Sequence, residues 1–274
     1  MQQIRSLSAA ACLRMNSMVN KHLRAFLRGF LCLAFWLLVW HFGALILDRS
    51  VVLPTPVSVA KTLLSLMGER DFFLSCFSSL GRIFAGLFIG IASGVLLAVL
   101  CRASGILQGL ISPAVSTIKA TPIASIIILM FFIFSKNIVP VIASFLMVIP
   151  IVFTNVYKGF SSVPTEEKEI AKVFRFSVWK RLKYCIFPAV LPYFSAACKS
   201  SLGLAWKAGI AAEVICTPKH SIGVKLSDAK VYLESEALFA WTIVVIVLSI
   251  LIEKFVVYLL ELFAKKGGDA DAEI

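Results

Sequence analysis

The residues best suited to chemistry in this sequence lie inside its apolar segments. Lys119, Lys207 and Glu213 are ionisable, and an ionisable group at membrane depth is a functional candidate by default, because it must face protein, water or a charged partner. Trp206 and Glu213 are seven residues apart and share a helix face, whereas Lys207 is turned by about 100° from Trp206. One face would therefore offer a stacking surface and a carboxylate to a solute path, and Lys119 would add a positive charge.

Two structural interpretations of the same residues stay open. Lys119 or Lys207 could pair with Glu213 or cap exposed carbonyl groups, which would join helices without touching a solute. Alternatively, the long lysine side chains could extend to the membrane interface and keep their ammonium groups in water. Trp206, taken alone, is typical of a packing residue.

The sequence does not support other kinds of chemistry. It contains no G-x-x-x-x-G-K-[ST] phosphate loop, so the chain is not expected to bind or hydrolyse ATP by itself. It contains no G-x-S-x-G or H-E-x-x-H motif, and its three histidines lie far apart without ligand-spaced partners. Its seven cysteines are scattered and form no C-x-x-C pair, which argues against a zinc site or a disulfide framework. We expect no enzyme, and no metal or cofactor bound by this chain.

Composition places the chain in a membrane. The mean hydropathy is +0.92, with 59% hydrophobic and 15% charged residues, which is typical of a chain that is mostly buried in lipid. The net charge of +12 does not indicate nucleic-acid binding, because the basic residues sit in short segments beside apolar runs. The sequence therefore predicts an all-α, multi-pass membrane protein.

The apolar runs predict about six transmembrane helices of roughly twenty residues each. They are Gly29–Leu47, Ser79–Leu100, Ile106–Phe134, Ile138–Tyr157, Ala189–Cys216 and Ala237–Phe263. This divides the chain into a basic N-terminal arm (1–28), a membrane domain (29–263) and a disordered acidic tail (264–274).

Glycines and prolines predict how these spans pack and break. Gly86, Gly90 and Gly94 are four residues apart, so one face of the second span would allow another helix to approach closely. Pro113 and Pro122 interrupt the third apolar region, which we therefore expect to be a broken helix that faces protein or a water-filled path.

The segment Val163–Pro192 is the most charged and amphipathic part of the chain. Read as a helix, it places apolar residues at every fourth position, namely Ile170, Phe174, Val178, Leu182 and Ile186. Lysines and arginines occupy the rest of its surface, and Ser177 is suited to cap a second short helix. The pattern indicates either a docking surface for a protein partner or a basic helix that lies on anionic lipid.

The distribution of basic residues predicts the orientation. Lysine and arginine concentrate near both termini and in the segment 163–188, and they are sparse in the other connections. By the positive-inside rule, both termini and this segment are expected to be cytoplasmic.

The same segment carries a family resemblance. Residues Glu169, Ile170, Ala171, Arg175, Ser177, Trp179 and Pro188 fall at the spacing of the "EAA" loop of ABC importer permeases. Four further stretches resemble the nitrate, taurine and aliphatic-sulfonate branch, which also includes transporters for thiamine precursors: LPTPVSV (53–59), SLGRIFAGLFIG (79–90), IKATPIA (118–124) and LAWKAGIAAEVI (204–215).

The resemblance implies the architecture of a type I ABC importer permease. Two copies of the chain would lie in the cell membrane with two cytoplasmic ATP-binding subunits, which hold ATP and magnesium, and an extracytoplasmic solute-binding protein would deliver the solute. The coupling loop 163–188 would form two short helices that dock into the ATPase, through Glu166, Glu169, Ala171, Arg175, Phe176, Ser177, Trp179 and Pro188.

Four positions depart from the family pattern. Ile170 stands where the pattern has alanine, and Cys185 and Phe187 stand where it has isoleucine and leucine. Arg175 replaces the glycine of the loop, and a break between helices often needs a positive φ, which costs a residue with a Cβ about 1 kcal/mol.

Two functions follow from these observations. The leading hypothesis is the permease of an ATP-driven importer for a small anion, or for a heterocycle like a thiamine precursor, that works by alternating access. The alternative is an ATP-independent channel or ion-coupled transporter, in which Lys119, Lys207 and Glu213 would form a charge relay.

Overall fold

The computed structural model describes residues 27–47, 49 and 51–269, with side chains as far as residue 260. Within them the chain is helical and contains no strand, as the sequence predicts. The helices are α1 (Leu27–Leu47), α2 (Pro56–Met67), α3 (Arg70–Ala103), α4 (Gly105–Ala120), α5 (Ile123–Ile133), α6 (Val139–Ser161), α7 (Thr165–Val173), α8 (Val178–Arg181), a π-helical turn (Leu182–Ile186), α9 (Phe187–Cys216), α10 (Ile222–Val231) and α11 (Ser235–Asp269).

The chain divides into two compact units after Thr62. In the first unit, the indole Nε1 of Trp40 on α1 donates a hydrogen bond to the carbonyl oxygen of Pro54, at 3.1 Å. Thr55 caps the start of α2, because its Oγ1 accepts from the backbone N–H of Ser58 at 3.3 Å. The predicted arm 1–28 lies almost entirely outside the described residues.

Four of the described helices are long and apolar enough to cross a membrane alone: α1, α3, α6 and residues 235–260 of α11. A fifth span requires α4 and α5 together, which meet at a bend of 104°. By length and composition, the described helices thus provide at most five transmembrane spans, whereas about six were expected. The missing span is α9, which has 30 residues but carries Lys199, Lys207 and Glu213.

Two boundaries differ from the prediction. Pro113 lies inside α4 without ending it, and the break comes only at Thr121 and Pro122. Thr121 has an extended backbone (φ −81°, ψ 130°), the conformation favoured for a residue before proline. At the other end, α11 continues to Asp269, so the first half of the predicted disordered tail 264–274 is helical.

The core of the second unit is built where α3, α6 and α9 cross. Gly86, Gly90 and Gly94 are all buried on the face of α3 that meets α6, which confirms the predicted close packing. A Cβ added at Gly90 would lie 2.7 Å from the Cβ of Val148. Beside Gly86 at the same crossing, the Oγ of Ser144 on α6 donates to the carbonyl oxygen of Ala205 on α9 at 3.0 Å.

We predict that Gly90→Ala destabilises the protein, because the added methyl group must push α6 away. Overpacking of this kind costs about 1–3 kcal/mol. The matched control is Gly81→Ala on the same helix, where a Cβ would meet nothing within 4 Å. Thermal unfolding in detergent should show a lower midpoint for Gly90→Ala and an unchanged or higher midpoint for Gly81→Ala. Equal midpoints for the two variants would contradict the close approach of α3 and α6.

Candidate functional site

The segment 163–188 folds as two short helices with a sharp turn between them. Helix α7 begins with Glu166 and Glu167 in its first turn, where carboxylates interact favourably with the helix dipole. It ends at Val173, and α8 begins at Val178. The apolar residues at every fourth position therefore do not lie on one continuous helix. The two short helices agree with the arrangement that the resemblance implies.

The turn is a Schellman motif with Arg175 in the left-handed conformation. Arg175 has φ 45°, and its backbone N–H donates to the carbonyl oxygen of Lys172 at 3.2 Å. The N–H of Phe176 donates to the carbonyl oxygen of Ala171 at 2.9 Å. These are the two hydrogen bonds that define the motif. Arg175 thus adopts the positive φ that glycine would adopt more easily.

Ser177 caps α8 as its position predicts. Its Oγ accepts a hydrogen bond from the backbone N–H of Lys180 at 3.4 Å, and its own backbone is extended. The π-helical turn follows directly and leads into α9, so no loop separates the segment from the bundle.

A small core holds the two helices against the start of α9. Val163, Ala171 and Cys185 are buried together, and Phe176 and Ala189 pack against them. Ala171 and Phe176 therefore face inward, although the resemblance assigns them to the docking surface. The contact between Phe176 and Ala171 also joins the two ends of the Schellman turn.

The opposite face is apolar and uncovered. Val173, Phe174, Val178 and Trp179 are 77%, 71%, 84% and 80% exposed, and we call these four residues the outer apolar surface. Glu166, Glu169, Arg175 and Pro188 in the same segment are exposed as well. Several large apolar side chains exposed within one short, charged segment are typical of an interaction site.

At the other end of the bundle, the carboxylate of Glu213 is fully buried and fully partnered. It accepts hydrogen bonds from Ser79 Oγ at 2.6 Å, from Arg82 Nη1 at 3.2 Å and from the backbone N–H of Gly223 at 3.3 Å. Ser79 Oγ also accepts from the N–H of Ile222 at 2.9 Å. We call Ser79, Arg82, Glu213 and Gly223 the Glu213 network; it joins α3, α9 and α10.

Arg82 extends this network to the connection between α9 and α10. Its Nη2 donates to the carbonyl oxygen of Lys219 at 2.8 Å, and its Nη1 reaches that of His220 at 3.4 Å. Thr217 and His220, on either side of this point, both have φ 47°. Strained backbone of this kind persists only where surrounding contacts over-determine it, and it clusters at functional sites.

The structure does not bring together the four predicted path residues. Trp206 is 3% exposed and its Nε1 donates to the carbonyl oxygen of Val245, so it is a packing residue here. Lys119 is exposed, and its Nζ donates to Thr154 Oγ1 at 2.7 Å. Lys207 is exposed as well. With Trp206 and Glu213 buried, neither offers surface to a solute in this conformation, while a path role for Lys119 and Lys207 stays a prediction.

The pairing of Glu213 with Lys119 or Lys207 is wrong, because its partner is Arg82. Sequence reasoning missed Arg82, although the signal was present: it is an ionisable residue within an apolar segment, as Lys119 and Glu213 are. Its separation of 131 positions from Glu213 gave no hint of contact. In the described part of the chain, no three His, Cys, Asp or Glu side chains are grouped so as to hold a metal ion.

We predict that Arg175→Gly stabilises the turn of the segment by about 1 kcal/mol, because glycine adopts a positive φ without strain. Amide hydrogen exchange at Phe176 should then slow by about fivefold. Arg181→Gly is the matched control, because Arg181 has a helical φ of −63°, where glycine should accelerate local exchange instead. Faster exchange at Phe176 in Arg175→Gly would contradict the described turn.

We also predict that Arg82→Gln lowers the free energy of unfolding by about 3–5 kcal/mol, because it leaves the carboxylate of Glu213 buried without its cation. Thermal unfolding should show this loss, and Lys207→Gln, at an exposed position in α9, should cost less than about 0.5 kcal/mol. The double variant Arg82→Met with Glu213→Met should recover part of the loss, since no charge stays buried. A midpoint for Arg82→Gln equal to that of Lys207→Gln would contradict the network.

Comparison with known proteins identifies the family. The family described as "Binding-protein-dependent transport system inner membrane component" matches residues 86–265, well over half of the chain. SsuC of Bacillus subtilis, named as a permease for aliphatic sulfonates, is 25% identical over 236 residues and covers 84% of each chain.

Two relatives from Synechococcus elongatus are named for other solutes. The nitrate import permease NrtB is 25% identical over 207 residues, 72% of this chain and 74% of its own. The bicarbonate transport system permease CmpB is 24% identical over 192 residues, 70% of this chain and 69% of its own. The chain therefore belongs to the binding-protein-dependent transport system inner membrane components, as an ABC importer permease of the nitrate and sulfonate family.

Proposed function

We propose that this chain is the membrane-spanning subunit of an ATP-driven importer, and that the outer apolar surface is where a separate ATP-binding subunit docks. The observation that carries the proposal is the exposure of Val173, Phe174, Val178 and Trp179 on two short helices fixed to the bundle. Trp179 is the best anchor among them, because buried tryptophan dominates the energetics of many interfaces.

The shape of the segment suits a mechanical contact. Its inward side is held by the small core around Ala171 and Phe176, and it continues into α9 through the π-helical turn without a loop. A push on the outer apolar surface would therefore act on α9 directly. Closure of the ATPase subunits around ATP and magnesium would rock the helices and open the path to the other side, which is alternating access.

The remaining parts of the assembly follow from the family. We propose two copies of this chain, two cytoplasmic ATP-binding subunits and an extracytoplasmic solute-binding protein. Both termini and the segment 163–188 lie on the cytoplasmic side, which agrees with the concentration of basic residues there. The end of the bundle with the Glu213 network then faces the binding protein.

We propose a small anion as the solute. The relatives named above are permeases for sulfonates, nitrate and bicarbonate, and all three solute classes are small anions. Lys119 and Lys207 are exposed cations within the apolar part of the chain, and they would attract such a solute. A heterocycle like a thiamine precursor is the second candidate, on the resemblance alone.

The alternative, an ATP-independent channel or ion-coupled transporter, requires Glu213 to take part in a charge relay. That carboxylate already accepts three hydrogen bonds, one of them from Arg82, and it is fully buried. Its commitment to the network favours a structural role. The two functions also differ in their requirements, because only the importer depends on an ATPase subunit.

We predict that Val178→Asp weakens docking and abolishes uptake, because burying an unpaired aspartate carboxylate in an apolar interface costs free energy. With the partner ATPase, pull-down affinity in detergent should fall by at least about tenfold, and ATP-dependent uptake into proteoliposomes should be lost. Val231→Asp is the matched control, since Val231 is 67% exposed at the end of α10. It should retain ATPase binding.

Two results would contradict the proposal. One is ATPase binding by Val178→Asp at the affinity of the unchanged chain. The other is uptake by proteoliposomes that contain only this chain and an ion gradient, which would favour the alternative.

A further inference from the structure

A basic cavity lies between the segment 163–188 and the bundle. Its volume is about 470 Å³, and its walls come from the end of α3, the end of α6, helix α7 and the helical stretch after Ser177. Three cationic side chains line it: Arg102, Lys168 and Arg181. The rest of its lining is apolar and includes Phe160, Leu182 and Ile186.

An apolar groove continues from this cavity along the bundle. Its volume is about 290 Å³, and every residue that lines it is apolar. Phe160, Leu182 and Ile186 line both spaces, so the cavity and the groove are contiguous. The groove then extends between α3, α6 and α9, with Val95 and Phe194 among its walls. Val95 is seven residues, or about 10 Å, along α3 from Arg102.

The charges of the cavity are not balanced by the protein. No carboxylate lines it, and none of its three cations forms an ion pair within the described residues. Clustered cations repel one another, and a shared anion relieves that repulsion while accepting several charge-assisted hydrogen bonds. The cavity is therefore complementary to a phosphate group.

We infer that this joint site binds one anionic diacyl phospholipid. Its phosphate contacts Arg102, Lys168 and Arg181, and one acyl chain occupies the apolar groove. Basic pockets beside membrane helices bind such headgroups, and the buried chain adds a hydrophobic contribution for each methylene. A soluble phosphate would satisfy the cations and leave the groove exposed to water. The lipid matches both halves of the site.

The bound lipid would link the segment 163–188 to the bundle. Lys168 and Arg181 belong to the segment, whereas Arg102, Val95 and Phe160 belong to α3 and α6. The protein core that holds the segment is small, so a lipid that contacts both parts would brace it. This inference needs no ATPase and stands apart from the proposed docking surface.

The test measures lipid binding by the full chain purified in detergent. Native mass spectrometry would follow a titration with phosphatidylglycerol, and with phosphatidylcholine of the same acyl chains. The cavity variant carries Arg102→Gln, Lys168→Gln and Arg181→Gln. The matched control carries Lys172→Gln, Lys180→Gln and Lys183→Gln, which removes the same number of charges at exposed positions of the segment 163–188 that do not line the cavity.

We expect the unchanged chain to retain one phosphatidylglycerol and to prefer it over phosphatidylcholine. The cavity variant should lose about a hundredfold in affinity, at roughly fivefold for each cation near an anionic headgroup. The control variant should stay within about twofold. Leu191→Trp, which fills the groove, should weaken phosphatidylglycerol binding and leave that of glycerol 3-phosphate unchanged. Equal circular dichroism spectra would show that the variants are folded.

Several results would overturn the inference. Equal losses in the two triple variants would mean a diffuse charge effect, and glycerol 3-phosphate binding as tight as that of the lipid would mean a soluble-anion site. If Leu191→Trp changed the oligomeric state and left lipid binding intact, the groove would be a contact between copies of the chain.

Discussion

The left-handed turn at Arg175 determines what the segment 163–188 can do. By reversing direction there, the backbone places Ala171 and Phe176 inside a small core and turns Phe174 and Val178 outward. A single straight helix with the same sequence would have presented one continuous apolar stripe to the bundle or to lipid. The turn instead produces a supported inner face and a separate outer apolar surface. The cost of placing a Cβ at a positive φ is offset by the two hydrogen bonds and the apolar contact of the Schellman motif.

Helix α9 connects the segment 163–188 to the Glu213 network. It begins at the π-helical turn beside the segment and ends at Cys216, after the buried carboxylate of Glu213. Its 30 residues make a continuous rod of about 45 Å, packed along α6. At its far end, Arg82 holds the connection to α10 in a strained conformation. A displacement of the segment 163–188 would therefore be transmitted along α9 to the Glu213 network. A shift of α9 there would disturb the hydrogen bonds of the buried Glu213 carboxylate.

Structural features that depend on neighbouring residues could be predicted from the sequence. The cap by Ser177 and the close face of Gly86, Gly90 and Gly94 follow from residues within one or two helical turns. The positive φ of Arg175 was not predicted, because the sequence showed only that arginine stands where the family pattern has glycine. Contacts between distant residues were not readable: the partner of Glu213 lies 131 positions away, and sequence order does not specify which of several cations reaches it. The inward direction of Phe176 was missed for the same reason. It packs against a cluster that includes Val163, which precedes α7, and Cys185, which lies in the π-helical turn.

The most direct test of the account replaces Trp179 with a photo-crosslinking amino acid, in membranes that also contain the ATP-binding and solute-binding partners. Phe132, 83% exposed at the end of the apolar helix α5, serves as the comparison position. The account predicts that position 179 crosslinks to the ATP-binding subunit and that position 132 does not. A crosslink from position 179 to the solute-binding protein, or to lipid alone, would contradict it.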